Sequence, residues 1–108
     1  RMTQVFVNIL ENAARYNDKE KPTCNVRSEK IDDSVVISFS DNGIGLSEKH
    51  LSKIFDSFYQ VDMGSGRKVG GTGLGLSICR GIMAAHGGKI WAEQNPKGGT
   101  VFKISLSL

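Results

Sequence analysis

Between residues 2 and 16, Met2, Val5, Ile9 and Ala13 recur every three or four positions, which predicts an amphipathic helix with that stripe against the core. A polar turn over 17–23, closed by Pro22, ends the period. Two strand-like segments follow, near 24–30 and 34–40, joined by Ile31-Asp32-Asp33. In the second, Val35, Ile37 and Phe39 alternate with Val36, Ser38 and Ser40, the period of a half-buried strand. Ser47 ahead of Glu48 predicts the N-cap of a short helix over 48–54. Residues 60–72 carry no period, and a loop of about 13 residues is long enough to act as a lid. Helical spacing returns up to His86, with Leu74, Ile78, Ile82 and Ala85 on one face, and Gly87-Gly88 supplies a C-cap. Lys89 to Gln94 and Thr100 to Leu108 alternate as strands around the turn Asn95-Pro96-Lys97-Gly98-Gly99, with Phe102, Ile104, Leu106 and Leu108 inward. This order predicts an α+β fold: a two-layer sandwich of one mixed, mostly antiparallel sheet with helices on one face and a cleft between the layers.

Composition narrows the picture only a little. A chain of 108 residues, 39% hydrophobic and 23% charged, is one globular domain. The net charge of +3 is spread over scattered Lys and Arg, which argues against nucleic acid as a partner. Cys24 and Cys79 have neither metal-ligand spacing nor a disulfide framework, as suits a reducing cytosol. No signal peptide or transmembrane run is visible. The first residue, Arg1, leads straight into the helical pattern, so we expect a fragment of something longer. Thirteen glycines exceed the ~7% background and cluster in loops, where ligand work is expected.

Three features carry candidate chemistry. Gly70-Gly71-Thr72-Gly73-Leu74-Gly75-Leu76 sets four glycines within six residues of a helix start, where unpaired N–H groups and the positive end of the dipole suit phosphate. The spacing fits neither a Walker loop nor the dinucleotide fingerprint. On the first helix, Asn8, Asn12 and Arg15 or Tyr16 form a polar stripe. It is either a solvated face or the lining of a cleft, in which amide oxygens ligate Mg²⁺, Arg15 meets the anion and Tyr16 gives a ring for a base. Asp41 occupies the buried parity at the end of the second strand, just where Gly43 and Gly45 open the backbone. It is a local cap or Asx turn, or a carboxylate reading an exocyclic amine at the floor of a pocket. Arg67 and Lys68 in the long loop are either solvated or close on a phosphate tail.

Taken together, these segments resemble the ATP-binding domain of sensor histidine kinases. Asn8-Ile9-Leu10-Glu11-Asn12-Ala13-Ala14-Arg15-Tyr16 is similar to the asparagine box of that family. Asp41-Asn42-Gly43-Ile44-Gly45-Leu46 is similar to its first glycine box, and Ile54-Phe55-Asp56-Ser57-Phe58 to its phenylalanine box. Gly71-Thr72-Gly73-Leu74-Gly75-Leu76 and Gly98-Gly99-Thr100 resemble its later glycine boxes, all in family order. The resemblance implies the Bergerat sandwich shared with gyrase, MutL and heat-shock chaperone ATPases. It implies that Asp41 bonds the adenine amine, that Asn12 ligates Mg²⁺ with Asn8 close by, and that the 59–72 loop is the ATP lid. The implied nucleotide contacts are Asn12, Tyr16, Asp41, Gly43, Ile44, Gly45, Arg67, Lys68, Gly71, Thr72, Gly73, Leu74, Gly75, Leu76 and Thr100, with Asn8, Asn12 and Arg15 as catalytic residues. The implied partners are a helical dimerisation and phosphoacceptor domain, a response regulator downstream, and a homodimeric parent in the cytoplasm, with or without a membrane anchor.

Two departures stand out. The family begins with a strand and an Asp-containing turn ahead of the asparagine box, so the sheet is expected to lack that edge strand. The phosphoacceptor helices are also missing, and neither His50 nor His86 has an acceptor-like context. Two other functions compete. A gyrase-type hydrolase carries a Glu base one turn before the Mg²⁺-binding Asn, where this chain has Asn8, which takes no proton at neutral pH. Glu11 adjoins Asn12 but points about 100° away around the helix. A non-catalytic nucleotide sensor would show a broken box, and none is broken.

Overall fold

A computed structural model of the chain describes residues 2–15, 20–56 and 75–107. Seven elements follow one another: α1 (Met2–Arg15), β1 (Cys24–Ile31), β2 (Ser34–Asp41), α2 (Glu48–Leu51), α3 (Gly75–Ala85), β3 (Lys89–Gln94) and β4 (Thr100–Ser107). The strands form one sheet in the order β1-β2-β4-β3. Every pairing among these described strands is antiparallel, from Cys24↔Asp41 at one edge to Ile90↔Ile104 near the other. The helices lie on one face, as the alternation in the sequence requires.

That face holds the core. Phe39 of β2 and Phe102 and Ile104 of β4 are fully buried, and they meet Val5 and Ile9 of α1 and Cys79 and Met83 of α3. Phe6 meets Phe39 edge-on at 5.4 Å, and Phe55 meets Phe102 at 6.3 Å, the arrangement that aromatic quadrupoles favour. Leu46, Ile54 and Phe55, from the segment after β2, close the core at its far end.

Two local expectations change. The buried stripe of α3 is Leu76, Cys79, Ile82 and Met83, whereas Ile78 and Ala85 are exposed. The apolar count had passed over Cys79 and Met83, soft side chains that pack as well as branched ones, and so set the stripe a fraction of a turn off. The helix after Ser47 is one turn long, Glu48–Leu51, and runs into turns up to Asp56. Ser47 caps it through its carbonyl, which accepts the N–H groups of His50 and Leu51 at 3.0 Å, and not through its hydroxyl.

At the end of α3 the glycines act as expected. Gly87 adopts φ +71°, and the Gly88 N–H reaches back to the Met83 carbonyl at 2.8 Å while the Gly87 N–H takes that of Ala84 at 3.0 Å. This pair of bonds is a Schellman cap, and it turns the chain straight into β3. On the opposite face of the sheet, the Trp91 indole N–H donates to Glu93 at 2.8 Å, and Lys103 pairs with the same carboxylate at 3.1 Å.

Candidate functional site

Asp41 closes β2 on the helix-facing side and is only 5% exposed. Its Oδ1 accepts two main-chain N–H groups, Gly43 at 2.9 Å and Thr100 at 3.0 Å. Oδ2 receives no hydrogen bond among the described residues, yet no fully buried side-chain oxygen there is left unpaired, so Oδ2 is open to a ligand. Burial pushes the carboxyl above its ordinary pKa, and the two N–H donors pull partly the other way. The group is thus a half-satisfied carboxylate whose free oxygen gains from a donor.

The β3–β4 hairpin holds this carboxylate in place. Gly99 sits at φ +97°, and a Cβ there would lie 2.1 Å from the Asp41 carbonyl oxygen and 2.7 Å from Oδ1. Only glycine tolerates both that dihedral and that approach. Asn95 donates from Nδ2 to the Asp41 carbonyl at 3.1 Å, and Gln94 donates to the Leu46 carbonyl at 3.1 Å. Asn42 ties the segment before β1 to the same corner, accepting from the Thr23 N–H at 2.9 Å and donating to the Lys21 carbonyl at 3.1 Å. Cys24 faces Asp41 across the strand pair, and burial together with the Asp41 charge raises its thiol pKa.

A second polar group lies between α1 and α3. Asn12 is 6% exposed, and its Nδ2 donates one turn back to the Asn8 carbonyl at 2.9 Å. Its Oδ1 accepts nothing among the described residues. Asn8 reaches across to the Gly75 carbonyl at 3.2 Å and so places the start of α3 beside the asparagine stripe. No group of three or more His, Cys, Asp or Glu that could hold a metal is found among the described residues. One amide oxygen together with phosphate oxygens and water fits Mg²⁺, a hard cation that keeps much of its hydration.

The structure therefore brings Asp41, Gly43 and Thr100 into one cluster and Asn8, Asn12 and Gly75 into another. Ile44 and Gly45 line an open cleft of about 700 Å³ between the first glycine box and the hairpin, opposite Gln94, Asn95 and Gly99; Asn8 and Asn12 do not border it. Leu76 puts its side chain in the core, so any ligand contact it makes runs through its main chain. Arg15 closes α1. Tyr16, Arg67, Lys68, Gly71, Thr72, Gly73 and Leu74, together with the expected lid, lie outside the described residues. Asn95, Gln94 and Asn42 escaped the sequence reading because each acts through a contact at least 19 positions away. In the sequence, Asn95 reads only as a turn residue.

A carboxylate with one oxygen locked and one open, and in the same domain a second cluster with a free amide oxygen at a glycine-led helix start, suit a nucleotide site. The sequence profile described as histidine kinase-, DNA gyrase B-, and HSP90-like ATPase matches residues 1–108. The chain belongs to this ATPase family. It is 44% identical over 107 residues to the sensor protein kinase WalK of Staphylococcus haemolyticus, covering 98% of this chain and 18% of that protein. It therefore spans about a fifth of the length of the curated relatives it matches. Among solved structures it is similar to the mycobacterial sensor histidine kinase MprB, with a TM-score of 0.83 and 28% identity over 96% of this chain and 70% of that one. The nucleotide-free catalytic domain of the histidine kinase ThkA gives 0.80 and 36%, over 98% and 66%. These likenesses agree with the observed sandwich, and an ATPase family fits ATP as the ligand.

Proposed function

We propose that residues 1–108 are the catalytic, ATP-binding domain of a two-component sensor histidine kinase, which passes the γ-phosphoryl of ATP to a histidine on a separate helical dimerisation domain. The observation that carries this is the state of Asp41: buried, locked at Oδ1 by two N–H groups, and open at Oδ2. Oδ2 accepts the adenine 6-amino group, a donor that guanine lacks at that position. Asn12 Oδ1 holds Mg²⁺, with Asn8 beside it; the ion, when bound, offsets the charge of the phosphates and orients the γ-phosphoryl. Main-chain N–H groups of Gly73, Gly75 and their neighbours cradle the phosphates, and Tyr16, Arg15, Arg67 and Lys68 line the same nucleotide.

The chain's own residues bind and orient, and they supply no base. Asn8 stands where a hydrolase carries Glu, and its amide nitrogen is already engaged by Gly75. In the transfer, the bond from the γ-phosphorus to the bridging oxygen breaks, ADP leaves with the electron pair, and a P–N bond forms to the acceptor imidazole. His86 serves α3 itself, its ring Nδ1–H donating to the Ile82 carbonyl at 2.8 Å at the end of the helix. A kinase of this kind works with a response regulator, a homodimeric parent and the cytoplasmic compartment. Two further solved relatives support the reading: full-length ShkA in complex with AMPPNP, and ThkA in complex with the response regulator TrrA. Among the described residues no helix is long and apolar enough to cross a membrane.

Incubation with γ-labelled ATP, with and without a helical domain bearing a reactive histidine, tests the proposal. Label should appear on the added domain alone. Brisk phosphate release by the chain by itself would move it to the hydrolase branch, and label on His50 or His86 would show that the acceptor lies within the chain.

A further inference from the structure

On the basis of the adenine role given to Asp41 above, we propose that Asn95 is a positioning residue for base recognition: it fixes the main chain of Asp41 so that the free carboxylate oxygen meets the 6-amino group of adenine. All four polar groups of Asn95 are committed. Its N–H donates to the Gly99 carbonyl at 3.1 Å and its carbonyl accepts from the Gly98 N–H at 2.9 Å, which closes the hairpin. Its Oδ1 accepts from the Lys97 N–H at 3.1 Å, an Asx turn. Its Nδ2 crosses 54 positions to the Asp41 carbonyl at 3.1 Å.

The last of these bonds has a reason in the sheet. The β2–β4 register ends at Ser40↔Val101, so the next pair would be Asp41 and Thr100. Thr100 instead turns its N–H onto the Asp41 carboxylate, and the Asp41 carbonyl takes its donor from Asn95. The side chain thus stands in for a strand donor that has been diverted to the recognition group. An Asx turn alone does not require Asn, because Asp accepts the same N–H and Ser does so more weakly. Only the amide nitrogen explains the reach to Asp41. Loss of it frees the carbonyl end of Asp41 while leaving the turn intact, and the carboxylate, hung from that main chain, loses its fixed bearing on the base.

The test uses the 108-residue chain and two probes, ADP and purine riboside 5′-diphosphate, which lacks the 6-amino group. Asn95→Ser keeps the turn acceptor and removes the donor; Asn95→Asp does the same with nearly unchanged shape, should the first variant fold poorly. Titration calorimetry of the parent chain should show preference for ADP, and each variant should narrow that preference about tenfold by weakening ADP while leaving the analogue unaffected. Equal weakening of both probes would make Asn95 a merely structural turn residue, and unchanged binding of both would remove any role; either overturns the proposal. A parent chain that binds both probes equally would instead overturn the adenine role of Asp41 itself, and Asn95 with it.

Discussion

The two halves of the site are built differently. At the end proposed for the base, Asp41 is gripped by three donors, from the loop after β2, the β3–β4 turn and the first residue of β4, and by the close approach of Gly99. At the end proposed for the phosphates, Asn8 ties α1 to the start of α3 through a 3.2 Å bond to the Gly75 carbonyl. One end is fixed before any ligand arrives, by bonds that belong to the sheet. On the function proposed above, the other presents an amide oxygen to a cation and helix N–H groups to an anion. Under the proposed kinase function, a domain that holds one base and releases a phosphoryl group to a partner gains from this division, since rigidity at the base need not oppose movement at the phosphates.

The largest effect expected from breaking this contrast is at Gly99. Gly99→Ala must accept φ +97° with a Cβ 2.1 Å from the Asp41 carbonyl oxygen, and it should cost about 3 kcal/mol of stability as well as nucleotide binding. Urea unfolding checks this, and an unchanged midpoint would show that the base end is not rigid.

Asp41→Asn separates binding from stability. Affinity for ADP should fall by about 1–3 kcal/mol, as an amide NH₂ is set against the adenine NH₂. The apo fold should gain stability at pH 7, because burial raises the pKa of Asp41 and so penalises its charged form. With the folded pKa above the unfolded one, the contribution of this group is fully present below the unfolded value and is lost as pH rises through the folded value. The stability gap between the variant and the parent should therefore be widest at neutral pH and close as pH falls below the usual aspartate range. A variant less stable than the parent at pH 7 would contradict the assignment.

The smallest effect is expected at the phosphate end. Asn8→Ala removes one part-buried bond and should cost about 1 kcal/mol of stability, with little change in ADP discrimination against the analogue lacking the amine. Loss of discrimination there would mean that the two ends are mechanically joined.

Much of this was legible in the sequence, for identifiable reasons. The alternation of Val35, Ile37 and Phe39 carried the buried parity straight to Asp41, and the structure buries Phe39 and Asp41 as that parity requires. Strand bounds fell within a residue because Asp32-Asp33 and the Asn95–Gly99 turn are strong local stops. The register of α3 is not legible from branched apolar positions alone, because Cys79 and Met83 take the core positions and Ile78 and Ala85 face out. The roles of Asn95, Gln94 and Asn42 were hidden for another reason: spacing reports local geometry, while these side chains bond across the fold.

The outer face of the sheet has a practical consequence in spectroscopy. The chain has one tryptophan, Trp91, and it stands on β3 with its indole tied to Glu93, on the face away from the helices. Its emission should therefore stay constant while nucleotide is titrated and change when β3 separates from β4. Intrinsic fluorescence of this domain is a gauge of unfolding that ligand binding leaves undisturbed, so melting curves with and without nucleotide can be compared on one baseline.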